Sequence, residues 1–113
     1  MVGSTLDQDA AFERIAEVMG CKWSLRILDL LDQGTNRPGA IERQLDGLTA
    51  TVLHRCLNRM ERDGLIERTV FDEVPQRVEY GFTDEGRAFR QLIEQARSLA
   101  SHWKGTQAAH QSD

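Results

Sequence analysis

The 113-residue sequence predicts a mostly α-helical protein with one small β-hairpin, arranged as a winged helix-turn-helix with N- and C-terminal dimerisation helices. Three observations predict this class. Apolar residues recur at helical spacing over most of the chain, a Gly-containing turn separates a short helix from a longer one, and residues 66–82 change to the two-residue period of β-strands. We expect residues 1–8 to be a flexible N-terminal arm, residues 9–103 to be one folded domain, and residues 104–113 to be a disordered tail.

The first half of the domain is expected to contain three helices. Helical spacing of apolar residues runs from Asp9 to Gly20. A second helix, from Trp23 to Leu31, is apolar on most of its sides, which is typical of a buried central helix. A third helix opens at Pro38, because proline is tolerated in a first helical turn.

The fourth predicted helix follows Thr49, a good N-cap residue, and ends at Gly64. One face is apolar and is expected to be buried: Val52, Leu53, Cys56, Leu57 and Met60. The opposite face is polar and carries Thr51, His54, Arg55, Asn58, Arg59 and Arg62.

A hairpin and a long helix are expected to complete the domain. The wing tip is placed at residues 72–76, between strands whose matching faces carry Ile66, Arg68 and Val70, and Val78, Tyr80 and Phe82. Thr83 is expected to cap the last helix, with Asp84 and Glu85 in the first turn, where the helix dipole favours acids.

The polar face of the fourth helix matches the hydrogen-bonding groups of a DNA major groove. Arg bonds guanine and Asn bonds adenine in a bidentate way, so Arg55 and Asn58, one turn apart, are the expected base readers. Lys22 and Arg37, near helix starts, are further candidates for phosphate contact or else are solvated charges. A merely solvated surface is the alternative for the whole face. Phosphate or mixed contacts are expected from Thr49, Thr51, His54 and Arg59.

The wing is expected to hold the DNA beside the recognition helix. Gln76 and Arg77 lie at its tip, where Arg can enter a narrow minor groove or pair with phosphate. An ion pair of Arg77 with Glu73 or Glu79 is the alternative, and the DNA contact is the favoured interpretation.

The net charge of −4 counts against nucleic-acid binding, which usually goes with a basic protein. The objection is moderate, because affinity depends on the basic side chains that reach phosphates rather than on the whole-chain charge. Double-stranded DNA therefore remains the expected partner.

The apolar stripe on the last helix is longer than a small domain is expected to bury, and the first helix offers it a partner. A homodimer seam is the favoured interpretation, with intrachain core as the alternative. Two recognition helices would then lie about 34 Å apart on a pseudo-palindromic operator. The expected seam residues are Phe12, Ile15, Met19, Phe89, Leu92, Ile93, Ala96, Leu99 and Trp103.

The two cysteines are interpreted separately. Cys21 lies beside Lys22 at a helix start, which lowers a thiol pKa, so it is a candidate redox sensor or else a small residue filling a tight junction. Cys56 is expected to be a buried hydrophobic residue. We expect no zinc site, other metal or cofactor, and no enzymatic activity, because metal-ligand spacing and catalytic motifs are missing from the sequence. We also expect a cytoplasmic protein without a membrane segment, since the sequence has neither a signal peptide nor a long apolar run.

Several short runs resemble the HxlR-type winged-helix regulators, relatives of the MarR group, and the resemblance covers residues 9–103. They are GCKW at 20–23, IL at 27–28, MERDGLIER at 60–68, EVPQRVEY at 73–80 and FTDEG at 82–86. The resemblance implies a bacterial transcription regulator that binds DNA as a homodimer. It also implies that the terminal helices form the interface, the fourth helix enters the major groove, and the wing touches the flanking backbone or the minor groove.

The chain departs from the family pattern at three places. Ala10 stands roughly where oxidant-sensing members carry a cysteine, Cys21 replaces the second glycine of a Gly-Gly-Lys-Trp run, and PGAI at 38–41 replaces a Phe-x-Glu-Leu run. We expect the protein to be a sequence-specific transcriptional regulator that acts as a repressor. Its expected effector is a small molecule or an oxidant. The alternative is a winged-helix protein–protein interaction module that no longer binds DNA.

Overall fold

The computed structural model describes the backbone of residues 2–103 and the side chains of residues 8–103. It confirms a mostly α-helical fold with one two-stranded antiparallel hairpin. No helix within this part of the chain is both long and apolar enough to cross a membrane. The elements are α1 (Val2–Gly20), α2 (Ser24–Asp32), α3 (Pro38–Gln44), α4 (Ala50–Arg62), β1 (Ile66–Phe71), β2 (Arg77–Phe82), a 3-10 turn (Gly86–Ala88) and α5 (Phe89–His102).

α1 begins at Val2, before the helix start at Asp9 that the apolar spacing predicts. Residues 2–8 form the first turns of this helix rather than a separate segment before Asp9. Helix elongation adds one backbone hydrogen bond for each residue that becomes ordered, and no proline interrupts this stretch, so the helix extends beyond its apolar stripe. The expected disordered tail, residues 104–113, lies outside the described residues.

The hydrophobic core lies between α2, α4 and the elements packed around them. Ile27 and Leu28 of α2 are fully buried, which confirms the central position predicted for this helix. The inward face of α4 meets them through Leu53, Leu57 and Met60, each with 0% exposure. The polar face of α4 is therefore held outward by the packing of its opposite side.

The helix-turn-helix is closed by local interactions that the sequence predicts. Pro38 occupies the first turn of α3, and the Thr49 hydroxyl accepts a hydrogen bond from the Val52 amide at 3.2 Å, so Thr49 is the N-cap of α4. Gly47 in the connecting turn has φ of +91°, a conformation that favours glycine, and it lies against the Trp23 ring.

The hairpin is attached to the helical core along the outer edge of β2. Its register pairs Ile66 with Phe82 and Arg68 with Tyr80, so the predicted strand faces are confirmed. The Tyr80 amide donates a hydrogen bond to the Asn36 carbonyl at 2.8 Å, which fixes the wing to the loop between α2 and α3.

Thr83 caps the 3-10 turn rather than α5, which corrects the predicted long helix. Its hydroxyl accepts from the Gly86 amide at 2.9 Å and donates to the Gly64 carbonyl, so it joins the end of the wing to the end of α4. Gly86 lies against the Leu65 backbone, where a side chain on residue 86 would clash. The 3-10 turn covers residues 86–88, and α5 begins after it at Phe89.

Ion pairs attach α5 to α2. Arg90 Nε lies 2.7 Å from Asp32 Oδ1, and Arg97 reaches both Asp29 and Asp32. The hydrogen bonds from Arg90, and then those from Arg97, lower the pKa of Asp32 more than its burial raises it. The direction of α5 is thus set by charged contacts in addition to its buried residues.

Candidate nucleic-acid interface

The outer face of α4 is a continuous polar surface. Thr51, His54, Arg55 and Asn58 are exposed, whereas the intervening Leu53 and Leu57 are buried. Thr49, at the N-cap, is also exposed. This alternation follows the 3.6-residue period of a helix packed on one side, and it presents the expected base readers on one surface.

A shallow depression of about 540 Å³ lies beside this face and is lined mainly by cationic and amide side chains. Arg55, Asn58 and Arg62 contribute to it from α4. Arg62 was not among the expected DNA contacts, although it stands one turn after Asn58 on the same face. The position of Arg62 on this face and its positive charge are the sequence signals that could have identified it as a DNA contact.

Arg59 is not a free cation in this structure. Its guanidinium lies 3.3 Å from the Glu17 carboxylate of α1, and the side chain is 37% exposed. A phosphate contact by Arg59 would have to compete with this carboxylate, so it is a weaker candidate than Arg55 or Arg62.

A second depression, of about 400 Å³, separates α4 from the wing. His54 and Asn58 line one side, and Arg68 of β1 lines the other with Tyr80 and Val78. Arg68 is not among the DNA contacts that the sequence predicts, but it is exposed and lines the same depression as Asn58. The sequence signal for a DNA contact by Arg68 is a cationic residue in the strand that follows the predicted recognition helix.

Arg77 forms the ion pairs that are the alternative to a DNA contact at the wing tip. Its two terminal nitrogens lie 2.7 Å from Glu79 and 2.8 Å from Glu73, and its guanidinium stacks over the Phe71 ring at 3.8 Å. Residues 77 and 79 share one strand face, and Glu73 lies across the hairpin turn, so both carboxylates come within reach. Gln76, by contrast, is exposed at the tip.

Lys22 and Arg37 lie outside the α4 surface described above. Lys22 is exposed, with its ammonium 5.1 Å from the centre of the Trp23 ring. Arg37, at the start of α3, is 56% exposed, and its guanidinium lies 3.7 Å from Glu79. Both keep enough exposure for a phosphate contact, but each already has a partner in the chain.

The structure brings together the two cysteines that sequence analysis treated separately. Cys21 lies in the turn between α1 and α2, and its sulfur is 3.7 Å from the sulfur of Cys56 on the inner face of α4. Burial would raise the pKa of Cys21, but hydrogen bonds from Ser24, Trp23 and Cys56 outweigh it and lower that pKa. Burial, reinforced by the neighbouring Cys21 sulfur, raises the pKa of Cys56 to about 11.

The expected dimer seam divides into core and surface residues. Phe89 and Ile93 are buried within the chain, and Ile15 and Leu92 pack partly against the core, as the intrachain alternative requires. Ala96 is also partly buried. The remaining apolar side chains are exposed: Phe12 at 69%, Met19 at 45%, Leu99 at 59% and Trp103 at 53%.

Comparison with known proteins agrees with this architecture. The family model described as "HxlR-like helix-turn-helix" matches residues 18–108. The HTH-type transcriptional regulator YvaP of Bacillus subtilis, itself uncharacterised, is 32% identical over 81% of this chain and 85% of its own length. These matches confirm the resemblance inferred from the short sequence runs.

Solved structures show the same fold. A protein described as a MarR-family transcriptional regulator from Enterococcus faecalis V583 is 41% identical, with a TM-score of 0.66 over 93% of this chain and 91% of the other. The redox regulator HypR in its oxidised form is 26% identical, with a TM-score of 0.76 over 83% of this chain and 97% of the other. The chain belongs to the HxlR-like helix-turn-helix family and is a DNA-binding transcriptional regulator rather than an enzyme.

Proposed function

We propose that the protein acts as a homodimeric repressor that binds a pseudo-palindromic operator and occludes a promoter. The observation that carries this proposal is the outward face of α4, where Arg55 and Asn58 stand exposed between two open depressions. A helix with such a face, rigidly supported on its buried side, fits a DNA major groove.

Base reading is assigned to Arg55 and Asn58. Both side chains are exposed and lie in the middle of the helix. Neither is in an ion pair within the described part of the chain. A bidentate contact to a base is therefore available without first breaking an internal contact.

Phosphate contacts are assigned to the residues around these two. Arg62 continues the α4 surface, Arg68 faces it across the wing depression, and Gln76 extends the wing tip. Arg77 is assigned a positioning role, because Glu73 and Glu79 already neutralise it. Weaker or mixed phosphate contacts are assigned to Thr49, Thr51, His54, Arg59, Lys22 and Arg37.

The dimer is proposed to form through the exposed apolar side chains of α1 and α5. Phe12, Met19, Leu99 and Trp103 are large side chains that one copy of the described domain leaves at least 45% exposed. Burial of such side chains contributes about 25 cal/mol for each Å² removed from water, so a second copy would be favoured.

Effector control is proposed to act through the thiols. HypR is a redox regulator of the same fold, and this chain carries a cysteine pair of its own. A small molecule bound at the dimer seam is the second form of control that the sequence leaves open.

The decisive experiment is a fluorescence-anisotropy titration with duplex DNA from the protein's own upstream region and with a scrambled duplex, at two salt concentrations. Native DNA should bind more tightly than scrambled DNA, and binding should weaken as salt rises. Arg55→Ala should weaken native binding by about 1–3 kcal/mol and leave scrambled binding nearly unchanged.

Two further variants separate base reading from charge alone. Arg62→Ala should weaken both duplexes alike and reduce the salt slope by about 1. Arg87→Ala, which removes an exposed arginine from the 3-10 turn, is the matched control and should change neither affinity. Equal losses on both duplexes for Arg55→Ala would reject its base-reading role. A folded protein that binds neither duplex would favour the interaction-module alternative.

A further inference from the structure

We propose that Cys21 and Cys56 of one chain form a reversible disulfide when a hydroperoxide is present, and that this bond lowers operator affinity by displacing α4. The chemical half stands on the thiol geometry alone. The regulatory half rests on the proposed function, because it requires an operator to be released.

The two sulfurs are already in contact. They lie 3.7 Å apart, although 34 residues separate the two cysteines in sequence. An S–S bond is about 2.05 Å long, so the sulfurs must approach by less than about 2 Å. Rotation of the side chains together with a small shift of the α1–α2 turn or of α4 can supply this movement.

The two thiols are suited to different steps of the reaction. Cys21 is partly exposed and its pKa is lowered by hydrogen bonds from Ser24, Trp23 and Cys56, so it is the thiol that attacks an oxidant. Cys56 is buried, and with a pKa of about 11 it remains a protonated thiol at neutral pH. It therefore stays unoxidised until a reactive sulfur forms beside it.

The reaction balances with hydrogen peroxide as the oxidant. The Cys21 thiolate attacks one peroxide oxygen and the O–O bond breaks, which gives a sulfenic acid at Cys21 and a hydroxide ion. The hydroxide takes up the proton that the Cys21 thiol released and becomes water. The Cys56 sulfur then attacks the Cys21 sulfur and forms the S–S bond. The hydroxide expelled from Cys21 takes the Cys56 proton, so two thiols and one peroxide give one disulfide and two waters.

The position of Cys56 connects this bond to DNA recognition. It follows Arg55 directly and lies on the buried side of α4, while Cys21 belongs to the turn that ends α1. The Arg59–Glu17 ion pair already joins the same two helices. A covalent tie would pull α4 towards α1, and α1 carries exposed residues of the proposed dimer seam. The spacing and tilt of the recognition helices would therefore change together.

The chemical test uses the full-length reduced protein treated with hydrogen peroxide. We expect the intact mass to fall by two hydrogen atoms, the two thiols to resist alkylation, and the protein to run as a monomer on a non-reducing gel. Peptide mapping should join the fragments that contain Cys21 and Cys56. Cys21→Ser should show no disulfide, and Cys56→Ala should stop at a sulfenic acid that a 1,3-dione reagent traps.

The regulatory test repeats the anisotropy titration before and after oxidation. Oxidised wild-type protein should bind native DNA at least about tenfold more weakly, as expected for loss of one bidentate base contact, and a dithiol should restore binding. Cys56→Ala should bind like the reduced wild type, with or without peroxide.

Three results would overturn the proposal. Two thiols that remain free in folded protein after peroxide would reject the chemistry. A disulfide-linked dimer would replace the intrachain bond with an intersubunit one. An intrachain disulfide with unchanged operator affinity would reject the switch. If the reduced protein binds no DNA, the proposed function and the switch fail together, while the mass measurement still decides the chemistry.

Discussion

Substitution of Gly86 by alanine should destabilise the junction between the wing and α5. A Cβ atom built at Gly86 would lie 1.8 Å from the Leu65 carbonyl oxygen and 2.8 Å from the Leu65 carbonyl carbon. Because both neighbours are backbone atoms, no side-chain rotation can relieve the clash. The 3-10 turn and the Leu65 carbonyl must separate by more than about 1 Å to restore van der Waals contact.

That separation would also disturb the hydrogen bonds at the same junction. The Leu65 carbonyl accepts from the Thr83 amide at 3.1 Å, and the Gly86 amide donates to the Thr83 hydroxyl at 2.9 Å. Overpacking costs about 1–3 kcal/mol, and each weakened hydrogen bond adds about 1 kcal/mol. We therefore expect the free energy of unfolding to fall by about 3–5 kcal/mol, a large part of the roughly 5–15 kcal/mol that stabilises a typical domain.

Urea unfolding at a fixed protein concentration measures this loss, since dimerisation would make the stability depend on concentration. The midpoint should fall by about 1 M or more with an unchanged slope. Gly20→Ala is the matched control, because a Cβ there meets nothing within 4 Å, and it should be neutral or slightly stabilising. A loss of less than about 1 kcal/mol in Gly86→Ala would show that the junction is loose and refute the argument.

Two other predictions concern the dimer seam and the ion pairs of α5. Leu99→Glu places a charge at an exposed apolar position of α5, so sedimentation velocity should show a shift from dimer towards monomer. Glu94→Gln on the same helix is the control and should leave the dimer unchanged. If Leu99→Glu also leaves the dimer unchanged, the seam lies elsewhere. Arg90 and Arg97 lower the pKa of Asp32, so its contribution to stability is complete above the ordinary carboxyl pKa and is lost as pH falls through the lowered value. Asp32→Asn should therefore lower the free energy of unfolding by about 1 kcal/mol at pH 7. The variant should also lose less stability than the wild type when the pH falls, as measured by thermal unfolding from pH 7 to pH 3. A parallel pH profile for wild type and Asp32→Asn would contradict the assignment.

Most of the fold could be predicted from local patterns in the sequence. Helical apolar spacing located α2 and α4, Pro38 and Thr49 marked the starts of α3 and α4, and the two-residue period located the hairpin and its strand faces. These features depend on neighbours within a few residues, so they are readable along the chain. The outward face of α4 follows from the same period, because burial of one helix side exposes the other.

Tertiary structure decided which distant side chains meet, and this changed several interpretations. Glu17 of α1 forms an ion pair with Arg59 of α4, and Gly86 packs against the Leu65 backbone, which leaves no room for a side chain. Cys21 and Cys56 meet only because α1, α2 and α4 pack around one core. The sequence by itself therefore determined the elements and the polar recognition face, whereas the pairing of charges and thiols required the packed chain, since contacts between residues far apart in sequence leave no periodic pattern.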